Sequence, residues 1–156
     1  MNRILSLLAI LLFLFSAAAC GKKPPQQAAI QGQRILSAIR DIAQAYEKKD
    51  LDNFMDAVAK DFSDRPSLEQ AAGRIFTKYE AIRFTVQYTK MLMMIADRGN
   101  IRATFTWDGE WRTAGGKIVK DGARVTLVFD PKDYKLQSIE GKNPFVPVES
   151  QGGTQR

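Results

Sequence analysis

Few side chains in this sequence can do chemistry, and their types narrow that chemistry quickly. Among 156 residues there is no histidine and a single cysteine, Cys20. That removes the commonest metal ligands, the usual nucleophile–base pairs and the proton shuttles that work near neutral pH. Carboxylates, phenols, indoles and thioethers are left. Asp108, Glu110 and Asp121 can act as acid and base only where two of them meet in a closed pocket that raises a pKa. Asp61 and Asp64 lie close in sequence, but their spacing matches no oxygen-ligand loop, and aspartate suits caps and turns. Met91, Met93 and Met94 are sulfur donors of the kind copper(I) takes, yet methionine is above all an adaptable core filler. Gly115-Gly116 reads as a turn, because no strand-to-helix glycine loop with a lysine accompanies it. Tyr46, Tyr88, Phe105, Trp107 and Trp111 form the candidate lining of an apolar pocket, with the two phenols as hydrogen-bond donors, against the default that Trp107 and Trp111 are core aromatics. No catalytic residue, metal or cofactor is assigned.

Cys20 has a context of its own. Arg3 precedes an apolar run over residues 4–15, and Ser16-Ala17-Ala18-Ala19 follows it. This is a charged n-region, an apolar h-region of secretory length and small residues for a signal peptidase. The run is short for a bilayer-spanning helix, which needs about 20 residues. Ala17-Ala18-Ala19-Cys20 resembles the bacterial lipobox, although the family's usual leucine three residues before the cysteine is Ala17 here. The resemblance implies a lipoprotein: residues 1–19 are removed, and Cys20 carries palmitate-type acyl chains at the new N-terminus. Each buried methylene contributes about 0.8 kcal/mol, so several chains hold a protein to a membrane where one does not. Gly21 stands where the family's inner-membrane retention signal has aspartate. That favours the periplasmic face of the outer membrane within the cell envelope. The competing expectation is cleavage after Ala19 to leave a free thiol, a liability in an oxidising compartment.

The rest of the chain divides by composition. Residues 20–27 read as a polar tether stiffened by Pro24-Pro25. Residues 28–147 are one domain by size. Residues 148–156 are mostly polar and read as a disordered tail. Net charge is +6, or +5 without Arg3. Lysine and arginine are scattered among acids rather than gathered into a block, so no nucleic-acid partner is expected.

The elements that must position the aromatic residues follow from periodicity. Residues 28–49 carry Ile35, Ile39, Ile42 and Tyr46 at helical spacing. Asp50 reads as the N-cap of a short second helix with Leu51, Phe54, Met55 and Val58. Ser67 and Gln70 read as the capping box of a third helix, with Leu68, Ala72, Ile75 and Tyr79 as its stripe. From Ile82 the period becomes two, and one long strand is expected to carry Ile82, Phe84, Val86, Tyr88, Leu92, Met94 and Ala96 on a single face. Met91, Met93 and Ile95 make the far end of that strand apolar on its other face as well. Asp108-Gly109 and Asp121-Gly122 each suit a tight turn, which would give two short hairpins. Centring one long hairpin on Gly115 instead sets Phe105 opposite Val125, Trp111 opposite Val119 and Glu110 opposite Lys120, which cross-strand packing rewards. It also sets Gly109 and Gly122 at one level, where the sheet is expected to curl. Centring the preceding turn between Arg98 and Gly99 pairs Met94 with Ala103 and Leu92 with Phe105. A fourth strand spans residues 134–140, and Asn143-Pro144-Phe145-Val146-Pro147 reads as an extended exit segment. The expected fold class is α+β: three N-terminal helices packed on a curved, cone-like, four-stranded antiparallel sheet.

That order of elements, with the helix junction at residues 45–54 and the run at residues 58–62, resembles the nuclear transport factor 2-like fold, also called ketosteroid-isomerase-like or cystatin-like. The resemblance implies helices folded over the concave face of the sheet and a cone-shaped pocket. The fold hosts enzymes and non-enzymes alike. The tyrosine that isomerase-like members use falls near Ile42, which has no hydroxyl. The strand that follows the second helix in those members, and bears their base, is replaced by Ser63-Asp64-Arg65-Pro66. The dehydratase-like members use histidine, which this chain lacks. The expectation is a membrane-anchored envelope lipoprotein, non-catalytic, that binds a small apolar ligand or a protein partner. The alternatives are an isomerase or hydrolase using carboxylates in the cone, and a structural or assembly adaptor.

Overall fold

A computed structural model describes residues 25–96 and 99–148. The leader, Cys20 and most of the tether, the turn at Asp97-Arg98, and the tail beyond Val148 lie outside the described residues. The chain divides into two compact units, residues 1–31 and 32–156. Everything below concerns the second unit, apart from the first helix, which starts in the first.

Among the described residues, three helices come first: α1 (Pro25–Glu47), α2 (Leu51–Asp56) and α3 (Arg65–Lys78). α1 starts three residues earlier than the apolar spacing suggests and buries the expected stripe of Ile35, Ile39, Ile42 and Tyr46. Its end is a Schellman motif. Lys49 takes the left-handed conformation (φ 57°), and the Asp50 N–H reaches back to the Ala45 carbonyl at 2.9 Å. Asp50 then caps α2, its carboxylate accepting from the Asn53 N–H at 3.1 Å.

α3 departs from the capping-box expectation. It begins at Arg65, before Ser67, with Pro66 in the first turn, where a missing N–H costs nothing. Arg65 supplies the physical reason. Its guanidinium donates to the carbonyls of Met55 at 2.9 Å and Val58 at 2.6 Å, at and just past the end of α2, where carbonyls lose their helical partners. Placing that arginine fixes where α3 starts.

Five strands follow: β1 (Ala81–Val86), β2 (Leu92–Ile95), β3 (Ile101–Arg112), β4 (Ile118–Phe129) and β5 (Leu136–Gly141). They form one antiparallel sheet in the order β1-β3-β4-β5, with β2 pairing to β3 beyond β1. The β3–β4 hairpin has the expected register throughout, Phe105 opposite Val125, Trp111 opposite Val119 and Asp108 opposite Gly122. Its turn is closed by the Gly116 N–H to the Thr113 carbonyl at 2.9 Å, with Gly116 at φ 81°.

The long first strand is two strands. A single 3-10 turn, Tyr88–Lys90, separates β1 from β2. β1 pairs Ala81 with Arg112, whereas β2 pairs Leu92 with Thr104 and Met93 with Ala103. The partner numbers sum to 193 in β1 and 196 in β2, so the turn inserts three residues. An odd insertion reverses which side chains face the core. Ile82, Phe84 and Val86 are buried. Beyond the turn, Met91 and Met93 pack inward while Leu92 and Met94 are exposed. The expected Met94–Ala103 and Leu92–Phe105 pairs are therefore off by one residue.

Candidate functional site: the concave aromatic interior

The helices and the concave face of the sheet enclose a cluster of rings. β3 sends Phe105, Trp107 and Trp111 inward from alternate positions, all 1% exposed or less. Gly109 lies between the two tryptophans for a steric reason. A Cβ there would meet the Trp111 ring at 2.2 Å, so the missing side chain leaves the space in which the indole lies back over the strand. From β1, Phe84 stacks on Trp107 with centroids 5.6 Å apart and planes 14° from parallel. Trp107 and Trp111 meet edge to face at 6.3 Å.

Tyr46 stands at the centre. It lies one turn beyond Ile42 on the same buried face of α1. Its ring touches Phe54, Phe76, Phe84 and Phe145 at centroid distances of 5.1–6.0 Å. Its hydroxyl accepts from Trp111 Nε1–H at 3.0 Å and donates to the Phe145 carbonyl at 2.8 Å. Burial pushes its pKa far above the ordinary tyrosine value, with the Tyr79 hydroxyl adding to the rise, so Tyr46 stays neutral. Among the described residues, two further polar atoms in the interior have no hydrogen-bond partner: the Tyr79 hydroxyl and Trp107 Nε1.

Four of the five predicted pocket residues, Tyr46, Phe105, Trp107 and Trp111, thus meet in the core. Tyr88 does not. It opens the 3-10 turn and is 39% exposed. Partial burial raises its pKa even though Arg40 beside it acts the other way. The alternation that carries Val86 inward ends at Gln87, and the turn carries the phenol away.

The candidate carboxylates separate by strand parity. Asp108 and Glu110 face the convex side, where Asp108 accepts from Gln87 Nε2 at 3.1 Å and Glu110 pairs with Lys120 at 3.2 Å. Asp121, opposite Gly109, is on the concave side, but its carboxylate is held by Lys142 and by the Val148 N–H. No charged residue is buried among the described residues, and no group of acids is placed to hold a metal.

The sequence-based reading missed Phe145. Residues 142–148 fold back over the ring cluster rather than extending away from it. Phe145 is 1% exposed and packs against Phe54 at 4.9 Å and Phe84 at 5.7 Å. The available signal was a large aromatic residue between two prolines beside an otherwise polar tail. Phe54, Phe76 and Phe84 were legible only as core positions.

Open clefts border the domain, among them two that matter here. One of about 370 Å³ lies between the start of α3 and β5, lined by Phe62, Ser67, Leu68, Arg74, Ser138 and Asn143, among others. The other, about 380 Å³, is lined by Arg83, Thr85, Gly109 and Lys120 together with all three candidate carboxylates, Asp108, Glu110 and Asp121. None of the five predicted pocket residues lines either cleft.

No protein-family model and no curated protein matches the sequence. Solved structures do match the fold. A nuclear transport factor 2-like superfamily protein from Salmonella enterica superposes with a TM-score of 0.62 at 10% identity, over 75% of this chain and 93% of its own. A candidate dehydratase of the same family from Streptomyces avermitilis gives 0.59 at 16% identity, over 71% and 94%. PrhC from Penicillium brasilianum gives 0.59 at 10% identity, over 70% and 79%. The expected element order, three helices and then an antiparallel sheet, is therefore the nuclear transport factor 2-like fold in three dimensions. The strand implied after α2 is reduced to a single bridge, Val58 with Leu136.

Proposed function

We propose that this protein is a membrane-anchored, non-catalytic binding protein of the cell envelope whose concave interior takes a small apolar ligand. The observation that carries the binding reading is the pair of unpartnered donors, the Tyr79 hydroxyl and Trp107 Nε1–H, in a ring-lined interior without buried charge. A buried donor without an acceptor costs about 1–3 kcal/mol, which a ligand oxygen would recover. The non-catalytic reading is supported by the partners of Asp108, Glu110 and Asp121, which border one open cleft but are engaged by Gln87, Lys120 and Lys142 in turn. The anchor reading rests on Ala17-Ala18-Ala19-Cys20, with the outer membrane favoured by Gly21.

Mass spectrometry of detergent-extracted native protein tests both parts. The expected result is a chain starting at an acylated Cys20, with a co-purifying apolar molecule released on denaturation. An unmodified thiol at Cys20 removes the anchor. An empty interior that binds no apolar probe, even with Phe145 truncated, removes the ligand. A protein partner is the second reading, favoured by one observation: Leu92, Met94 and Ile95 on β2 are 50–54% exposed and adjoin exposed Tyr88.

A further inference from the structure

The segment that covers the aromatic interior is built unlike the rest of the domain. β5 ends at Gly141, whose φ of 94° turns the chain out of the ladder. Among the described residues, the backbone–backbone bond made by residues 142–148 is local, Val146 N–H to the Asn143 carbonyl at 3.4 Å. The Asn143 side chain accepts from the Phe145 N–H at 2.9 Å, so the segment holds its own shape. Pro144 and Pro147 stiffen it. Yet Pro144, Phe145 and Pro147 are all buried.

Two side chains of the domain fasten it. Asp121 binds both ends, pairing with Lys142 Nζ and accepting from the Val148 N–H at 3.3 Å. Tyr46 binds the middle, donating to the Phe145 carbonyl at 2.8 Å. Phe145 itself lies among Tyr46, Phe54 and Phe84. What this segment presents to the interior is an apolar ring and a carbonyl acceptor. The 370 Å³ cleft borders it at Asn143 and Val146, on one side of its root at Gly141.

We propose that residues 142–148 are a hinged strap in which Phe145 occupies the place of a ligand ring, and that releasing the Asp121 latch opens the interior to an apolar ring compound bearing an acceptor oxygen. This rests on the interior being the binding site. Gly141 is the hinge, because the glycine tolerates the φ change that swinging the strap demands. Tyr46 exchanges the Phe145 carbonyl for the ligand oxygen. The strap therefore competes with the ligand, and the apparent affinity is reduced by the fraction of molecules in which it is closed.

The test compares the parent chain with Asp121→Asn, Phe145→Ala and Phe145→Leu. Nile red, a neutral planar ring compound with a carbonyl, is the probe, and amide hydrogen exchange is the second readout. Asp121→Asn is expected to tighten Nile red binding on the order of tenfold and to speed exchange at Val146 and Val148, leaving β3 and β4 amides slow. Phe145→Ala is expected to tighten it at least as much, and Phe145→Leu, which keeps the plug, to bind like the parent. Tight binding to Phe145→Ala with parent-like binding and exchange in Asp121→Asn overturns the strap but leaves the interior as a site. No binding to any variant overturns the interior itself. Should Phe145→Ala fail to fold, the exchange and binding of Asp121→Asn still decide whether the latch gates the strap.

Discussion

Tyr46 shows how much a single polar atom controls in an apolar interior. Its oxygen uses both of its hydrogen-bonding roles, acceptor from Trp111 and donor to Phe145. Tyr46→Phe leaves the Trp111 N–H and the Phe145 carbonyl without partners, each costing about 1–3 kcal/mol. Urea denaturation should show that loss as a lowered midpoint with an unchanged slope. Tyr79→Phe is the contrast. Its hydroxyl has no partner to lose, so the substitution should leave the free protein equally or slightly more stable. Nile red binding to the opened interior should weaken if that hydroxyl meets a ligand oxygen. The four buried pocket residues were legible because strand alternation and helical spacing placed them. Phe145 was not, because nothing local to residues 143–147 encodes the return of the chain across the sheet.

At the scale of elements, caps and glycines make the sharpest predictions. The Asn53 side-chain amide, and after it the Asn53 backbone N–H, hold the Asp50 carboxyl below its ordinary value of 3.8. The folded pKa is thus lower than the unfolded one. The cap's contribution is complete above the unfolded value and is lost as pH falls through the folded one. Asp50→Ala should melt a few degrees below the parent at neutral pH, on the order of the loss of one cap. The gap should close on acidification through the lowered value. Gly73→Ala and Gly109→Ala should act in opposite directions. Nothing lies within 4 Å of a Cβ at Gly73, mid-helix in α3, so alanine should stabilise by about 0.5–1 kcal/mol. At Gly109 the Cβ collides with a fully buried indole pinned by its bond to Tyr46, and overpacking of that kind costs about 1–3 kcal/mol or more. Thermal melts of the two variants check both signs.

The whole molecule is organised around the β3–β4 hairpin. Each strand has 12 residues and both are flanked by partners, whereas β2 is four residues long on an open edge. Local opening follows that asymmetry. Hydrogen exchange should be slowest at Ala103, Phe105, Leu127 and Val128 and fastest at Tyr88 and Leu92 among the sheet-side residues. Equal protection across β2 and β4 would contradict the topology as the source of stability. The exposed side chains of Leu92, Met94 and Ile95 lie on the element that this gradient makes easiest to open.

The sequence by itself determined what alternation and helical spacing encode: the helix stripes, the register of the β3–β4 hairpin, and the glycine pair at one level of the sheet. These are local patterns, and a one-residue slip would have turned apolar side chains to water along both long strands. Only the tertiary structure decided the rest. The break in the first long strand depends on a three-residue insertion whose parity shows only against β3. The start of α3 depends on Arg65 finding the carbonyls at the end of α2. The filling of the interior depends on Phe145 returning from the end of the domain to Tyr46, 99 residues away. Such contacts arise from the packing of remote elements, and no window of neighbouring residues contains both partners.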